Sequence, residues 1–177
     1  VPVTALPIEA AIRDSKMLFV VAAGNGNQYQ IGYDIDKSLY TRQVFHDNVI
    51  TVGNLLFNGH LDESSNYGAT SVDLAAPGTY ILSTIPGDSY AYMSGTSMAA
   101  PMVTSAAALI YSARTDLSLQ DIKTAILSTV HNWPVKRQNS NRRHAGCICR
   151  YKMDKELTAA TYSRIIPIRS PKSRRHD

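Results

Sequence analysis

The sequence predicts an α/β fold: part of a doubly wound, mostly parallel sheet with flanking helices. Three observations carry this expectation. Apolar runs at 17–23, 49–52 and 72–75 are closed by Gly, Asn or Pro, as buried parallel strands are. An amphipathic stretch precedes the first run and a Gly24-Asn25-Gly26-Asn27 loop follows it, giving helix, strand, then a loop at the strand's carboxyl end. An uncharged, alanine-rich segment at about 96–113 has the length and composition of a central buried helix.

Taken in order, residues 7–16 form a short amphipathic helix with Ile8, Ala11 and Ile12 on one side and Glu9, Arg13 and Asp14 on the other. The run at 17–23 is a fully buried strand. Residues 26–47 are polar, carry Tyr29, Tyr33 and Tyr40, and read as a surface loop or substrate-side insertion. After the strand at 49–52, Asn58-Gly59 marks a tight hairpin turn within 55–61. The strand at 72–75 stops at Pro77-Gly78. Strands at 80–84 and 90–93 flank the turn Pro86-Gly87-Asp88. Ser118 caps a last helix, with Asp121 three residues on and Ile122, Ala125 and Ile126 on one face, ending near Thr129.

The chain of 177 residues is long enough for one domain with a sizeable core. It begins with Val1, and no signal peptide or long apolar run occurs, so a fragment or processed product is expected, with no membrane span. The net charge of +4 hides an asymmetry: residues 1–130 sum to −5 and residues 131–177 to +9. A mildly acidic body with a basic tail places a boundary near 131–135. The tail has neither clear period nor good caps. It reads as irregular or disordered, as a basic interaction arm, or as translation in a shifted frame. Cys147 and Cys149, with His144 nearby, fall short of a four-ligand zinc site, so no metal is assigned. No cofactor is expected either.

The chemistry concentrates at Gly95-Thr96-Ser97-Met98-Ala99-Ala100-Pro101. A serine there sits in the first turn of a helix, where unpaired N–H groups and the positive dipole end converge. Gly95 permits close backbone approach, and Pro101 is tolerable near a helix start. From spacing alone Ser97 is either a nucleophile or an N-cap serine followed by a close-packed core helix.

The motif resembles the nucleophile block of the subtilisin-like serine proteases, the subtilases, whose common form is G-T-S-M-[AS]-x-P. A second block, Leu18-Phe19-Val20-Val21-Ala22-Ala23-Gly24-Asn25, is similar to the strand and turn that deliver the family's oxyanion-hole asparagine. Between them Asn48-Val49-Ile50-Thr51-Val52-Gly53, Ser65-Asn66-Tyr67-Gly68 and Val72-Asp73-Leu74-Ala75-Ala76-Pro77-Gly78 keep the family's order and character. The resemblance covers roughly 8–130 and implies the C-terminal half of a catalytic domain, followed by the basic tail.

What the resemblance implies is serine endopeptidase chemistry on a peptide or protein substrate. Ser97 is then the nucleophile. Its own N–H and the Asn25 side chain are the oxyanion donors, and Ala22, Ala23 and Gly24 form one wall of the substrate pocket. Read without the resemblance, Asn25 is a turn residue between two glycines. The family's base and orienting carboxylate sit in H-G-T-H and D-[ST]-G motifs upstream of both blocks, and neither motif occurs here. None of His46, His60, His131, His144 and His176 has the family context. The implied partner is the missing N-terminal half of the domain, and the isolated chain is expected to be inactive or nearly so.

Asp73 lies where some relatives have a weak cation ligand; alone, it reads as a satisfied strand-end carboxylate. Met102 replaces a common histidine and is expected to affect packing. Tyr40-Thr41 replaces a common Tyr-Pro step in a substrate-side loop. Secretion is the family default. The alternative is a non-catalytic pseudoprotease or binding module whose basic tail holds polyanions; no nucleic-acid motif accompanies the tail, so nucleic acid is not the expected partner.

Overall fold

A computed structural model describes residues 6–37, 46–130, 132–134 and 148–150. The chain runs α1 (Leu6–Asp14), β1 (Phe19–Ala22), β2 (Val49–Leu55), β3 (Leu74–Pro77), β4 (Ile81–Ile85), β5 (Ser89–Met93), α2 (Thr96–Ala113), α3 (Leu119–Ser128), β6 (Asn132–Pro134) and β7 (Ile148–Arg150). Strands β1, β2 and β3 form a parallel sheet in that spatial order, with Phe19 opposite Val49 and Val52 opposite Leu74. The α/β class and the parallel sheet with flanking helices hold.

The side-chain alternation along β2 builds two cores. Ile50 and Val52 face one side with Leu74 and Ala76, against Ala99, Ala100 and Val103 of α2 and Ile122 and Ile126 of α3. On the other side Leu61 and Ala75 pack together under the 55–61 turn, and Gly53 leaves room for Ser65 and Leu61. That turn closes as expected, with the Leu56 N–H on the His60 carbonyl at 2.8 Å. No helix occurs between β2 and β3.

Two burial expectations are corrected. β1 is half-buried throughout rather than fully buried, because among the described residues it is an edge of the sheet, with a neighbour on one side only. Helix α2 spans the expected residues but buries only Thr96, Ala99, Ala100 and Val103, while Met102, Leu109 and Tyr111 are exposed. Among the described residues, the sheet and α3 cover one face of α2 and nothing covers the other.

β4 and β5 pair antiparallel around 86–88, with Ile85 opposite Ser89. This hairpin positions the start of α2. The Tyr80 N–H donates to Ser94 Oγ at 2.9 Å, and the Gly95 N–H donates to the Gly78 carbonyl at 2.8 Å. Two short strands, β6 and β7, pair antiparallel inside the stretch read as irregular. Each has only three residues, too few for a periodic signal. The remainder of 131–177 lies outside the described residues.

Helix α3 begins with the reciprocal cap that Ser118 and Asp121 foretell. The Asp121 N–H donates to Ser118 Oγ at 3.1 Å, and the Ser118 N–H donates to Asp121 Oδ2 at 3.1 Å. Ser118→Ala removes both the side-chain acceptor and the hydroxyl bond to Asp121. A loss of about 1 kcal/mol is expected in chemical denaturation, and an unchanged midpoint would show that the cap contributes nothing.

Candidate active site

Ser97 is the second residue of α2, exposed between the buried Thr96 and Ala99. Its N–H falls in the first turn, where no intrahelical acceptor exists. The Gly95 carbonyl takes the next two N–H groups, from Met98 at 3.0 Å and Ala99 at 3.3 Å. Pro101, four residues on from Ser97, has no N–H to give the Ser97 carbonyl. A hydroxyl and an N–H thus stand together at the positive end of the longest helix, open to a ligand.

Asn25 reaches the same helix start from the end of β1. Its Oδ1 accepts from the Thr96 N–H at 2.8 Å and from the Thr96 hydroxyl at 3.0 Å. Thr96 Oγ1 in turn accepts the Gly24 N–H at 3.1 Å. Its oxygen is thus committed to Thr96, while Nδ2 is the donor end of this exposed side chain. Gly95 is necessary here: its φ is +146°, and a Cβ would lie 3.2 Å from both Nδ2 and Oδ1 of Asn25. The structure therefore brings together Ser97 and Asn25, 72 residues apart in sequence. Thr96 joins them; no periodicity or charge pattern singles it out, and its place inside the nucleophile motif is the signal that points to it.

Of the proposed pocket wall, Ala22 ends β1 and is half-buried, and Gly24 turns the chain with φ +95°. Ala23 is buried with Ile35 and Val72. Its methyl is spent in that core, so its backbone is what it can offer a ligand. The 33–37 segment is held in place by Asp36, whose carboxylate accepts from the Thr70 N–H and hydroxyl and from the Ser71 N–H at 2.8 Å. Burial pushes the Asp36 pKa up, but these hydrogen bonds from Ser71 and Thr70 outweigh it, and the net shift is downward. A depressed folded-state pKa stabilises above the unfolded value and is lost as pH falls through the folded one. Thermal denaturation of the natural chain and Asp36→Asn is therefore expected to differ at neutral pH and to converge well below about pH 4. A gap that persists in acid would contradict this.

The described histidines do not complete the site. His46 Nε2 lies 3.8 Å from Glu9 Oε1, beside α1. His60 sits in the turn after β2, its main-chain N–H on Asn58 Oδ1. Neither is hydrogen-bonded to Ser97 among the described residues. His131, His144, His176, Cys147, Tyr40 and Thr41 lie outside them. Asp73 is a satisfied strand-end carboxylate, its Oδ2 accepting the Thr51 N–H at 2.8 Å. Met102, after Pro101, is 41 % exposed and belongs to no core cluster among the described residues. Among the described residues no cluster of three or more His, Cys, Asp or Glu side chains could hold a metal ion, and no helix is long and apolar enough to cross a membrane.

A helix-start serine beside a strand-end asparagine on a parallel α/β sheet is an arrangement with which a serine hydrolase can stabilise an oxyanion through a side-chain amide. Comparison with known proteins narrows it: residues 4–147 match the subtilase family of peptidases, and the chain belongs to that family. Subtilisin DY of Bacillus licheniformis is 37 % identical over 122 residues, covering 67 % of this chain and 41 % of its own length. A thermophilic serine proteinase of a Bacillus species (strain AK1) is 55 % identical over 93 residues, covering 52 % of this chain and 21 % of its own. Among solved structures, a protease from Pseudoalteromonas arctica PAMC 21717 superposes with a TM-score of 0.65 at 27 % identity, covering 89 % of this chain and 47 % of that one. The chain spans less than half the length of each of these relatives.

Proposed function

We propose that this chain is the nucleophile- and oxyanion-bearing part of a serine endopeptidase, and that the base and its orienting carboxylate come from a segment outside this sequence. The observation that carries the reading is the Asn25–Thr96 junction, which sets a side-chain amide beside the exposed Ser97.

Ser97 Oγ attacks the scissile carbonyl carbon while its proton passes to a histidine of the outside segment. The Asn25 Nδ2 donors and the Ser97 N–H stabilise the oxyanion that forms. Collapse expels the amine, which takes the proton from the base, and leaves an acyl group on Ser97. Water then hydrolyses that ester with the same base. Ala22, Ala23 and Gly24 line one side of the pocket for the residue before the scissile bond. The substrate is a peptide or protein. Secretion is the proposed location, by analogy with the family; one relative is named an intracellular serine protease, from Paenibacillus polymyxa.

The test is peptide hydrolysis by the chain alone and by the chain expressed behind the segment of subtilisin DY that carries the D-[ST]-G and H-G-T-H motifs. The reading expects negligible turnover alone and turnover on pairing. Equal activity of the two would overturn the assignment of the base to another segment, and a folded pair without turnover would overturn the protease reading.

A further inference from the structure

Asn66 is 4 % exposed and lies in a loop between β2 and β3, far in sequence from the residues it binds. Its Oδ1 accepts from the Gly26 N–H at 3.1 Å and from the Tyr33 N–H at 2.9 Å. Its Nδ2 donates to the Ala23 carbonyl at 2.9 Å, and its main-chain N–H donates to the Gly24 carbonyl at 2.9 Å. Three of these four bonds grip the chain on both sides of Asn25, at residues 23, 24 and 26, and the fourth ties in Tyr33. The grip is anchored in the central strand: Ser65 Oγ accepts the Asn54 N–H at 2.9 Å and donates to the Asn66 carbonyl at 3.0 Å.

We infer that Asn66 is a positioning residue for the oxyanion hole, holding the 23–26 loop so that the Asn25 amide meets the start of α2. This rests on the reading of Asn25 as an oxyanion donor. The side chain is suited to the task because a carboxamide carries its donor and its two acceptor lone pairs on separate atoms, so it can serve one carbonyl and two N–H groups at once. Aspartate keeps the acceptors and sets a negative charge against the Ala23 carbonyl. Alanine leaves the Gly26 and Tyr33 N–H groups and the Ala23 carbonyl without their partner. The fit also constrains Gly24, where a Cβ would stand 2.5 Å from Asn66 Nδ2. Thr96 fixes the Asn25 amide at its tip and Asn66 fixes the main chain at its root.

A purely structural asparagine would lower stability and leave the chemistry of the folded molecules alone, so two readouts are needed. The first is amide hydrogen exchange in the full chain for Asn66→Ala and Asn66→Asp. The comparison is Asn54→Ala, which keeps the main-chain N–H that Ser65 accepts and removes only a fully buried side chain bonded to Thr79. Exchange across 23–27 is expected to rise about tenfold or more in both Asn66 variants, with 49–55 still protected, and to stay at the natural level at 23–27 in Asn54→Ala. The second is the split between kcat and KM in the chain paired with the subtilisin DY segment. Per folded molecule, Asn66→Ala is expected to lower kcat by about 10- to 100-fold, the scale of a misplaced catalytic group, with KM within about twofold.

Unchanged exchange at 23–27 in the Asn66 variants overturns the inference. So does a kcat per folded molecule equal to that of the natural pair, or one lowered equally by Asn54→Ala. If Asn25→Asp leaves kcat intact, the oxyanion reading has failed instead, and the exchange result still decides whether Asn66 holds the loop.

Discussion

Ser97→Ala, made in the chain paired with a segment supplying the base and carboxylate, lowers kcat by about 10⁶-fold and leaves the fold intact. That magnitude is the one known for the nucleophile of subtilisin, itself a subtilase. The physical reason is that alanine has no oxygen to form the acyl bond, so hydrolysis falls back on direct attack by water. The residual rate is what the oxyanion donors supply without a nucleophile. Ser97 is exposed in the first turn of α2, and alanine suits a helix, so stability moves by no more than about 0.5 kcal/mol. Steady-state peptide hydrolysis and thermal denaturation on the same preparation check both halves. A folded Ser97→Ala pair with near-natural turnover would remove Ser97 from the chemistry.

Asn25→Leu and Asn25→Asp separate two jobs of one side chain. Asn25 holds Thr96 through Oδ1, and in the proposed mechanism it donates toward the oxyanion through Nδ2. Leucine loses both. Its kcat drops by about 10²–10³-fold, the effect known for the oxyanion-hole asparagine of subtilisin. The fully buried Thr96 hydroxyl and N–H also lose their acceptor, at a cost of about 1–3 kcal/mol. Aspartate keeps an acceptor for Thr96 but has no N–H and carries a negative charge. Its kcat falls at least as far as that of the leucine variant while stability stays closer to natural. Both effects belong in kcat, with KM little changed, because the donor acts on charge that develops only in the transition state. If the two variants lost stability equally and kept kcat, Asn25 would be a structural turn residue.

The parts of this site that can be read from sequence are those encoded locally. The run ending in Ala22-Ala23-Gly24-Asn25 marks a strand and its functional turn. Ser118 and Asp121 mark a helix start, and Pro86-Gly87-Asp88 marks the β4–β5 turn, because a few neighbouring residues settle each. Ser97 and Asn25 are found by motif. What joins them is not found: the Thr96–Asn25 bonds link positions 71 apart, and the Asn66–Ala23 bond links positions 43 apart. No periodicity reports such pairings. Asn66 stood within Ser65-Asn66-Tyr67-Gly68 without a chemical reason to single it out.

Burial departs from what composition predicts for a related reason. The composition of α2 says that Met102, Leu109 and Tyr111 can be buried, but only a neighbouring surface decides that they are, and the described residues place none there. β1 likewise has the composition of a central strand and the position of an edge. The sequence patterns describe what each element can tolerate, whereas burial is a property of the assembled surfaces.

The most direct test of the central claim is mass spectrometry of the paired chain after treatment with a fluorophosphonate. Ser97 Oγ would form the phosphorus–oxygen bond as fluoride departs and the hydroxyl proton passes to the base. The account predicts one adduct, on Ser97 in the peptide spanning 95–101, slowed in Asn25→Asp and absent from the unpaired chain. Peptide hydrolysis by a preparation whose Ser97 stays unmodified, or an adduct on another residue that abolishes activity, would contradict it.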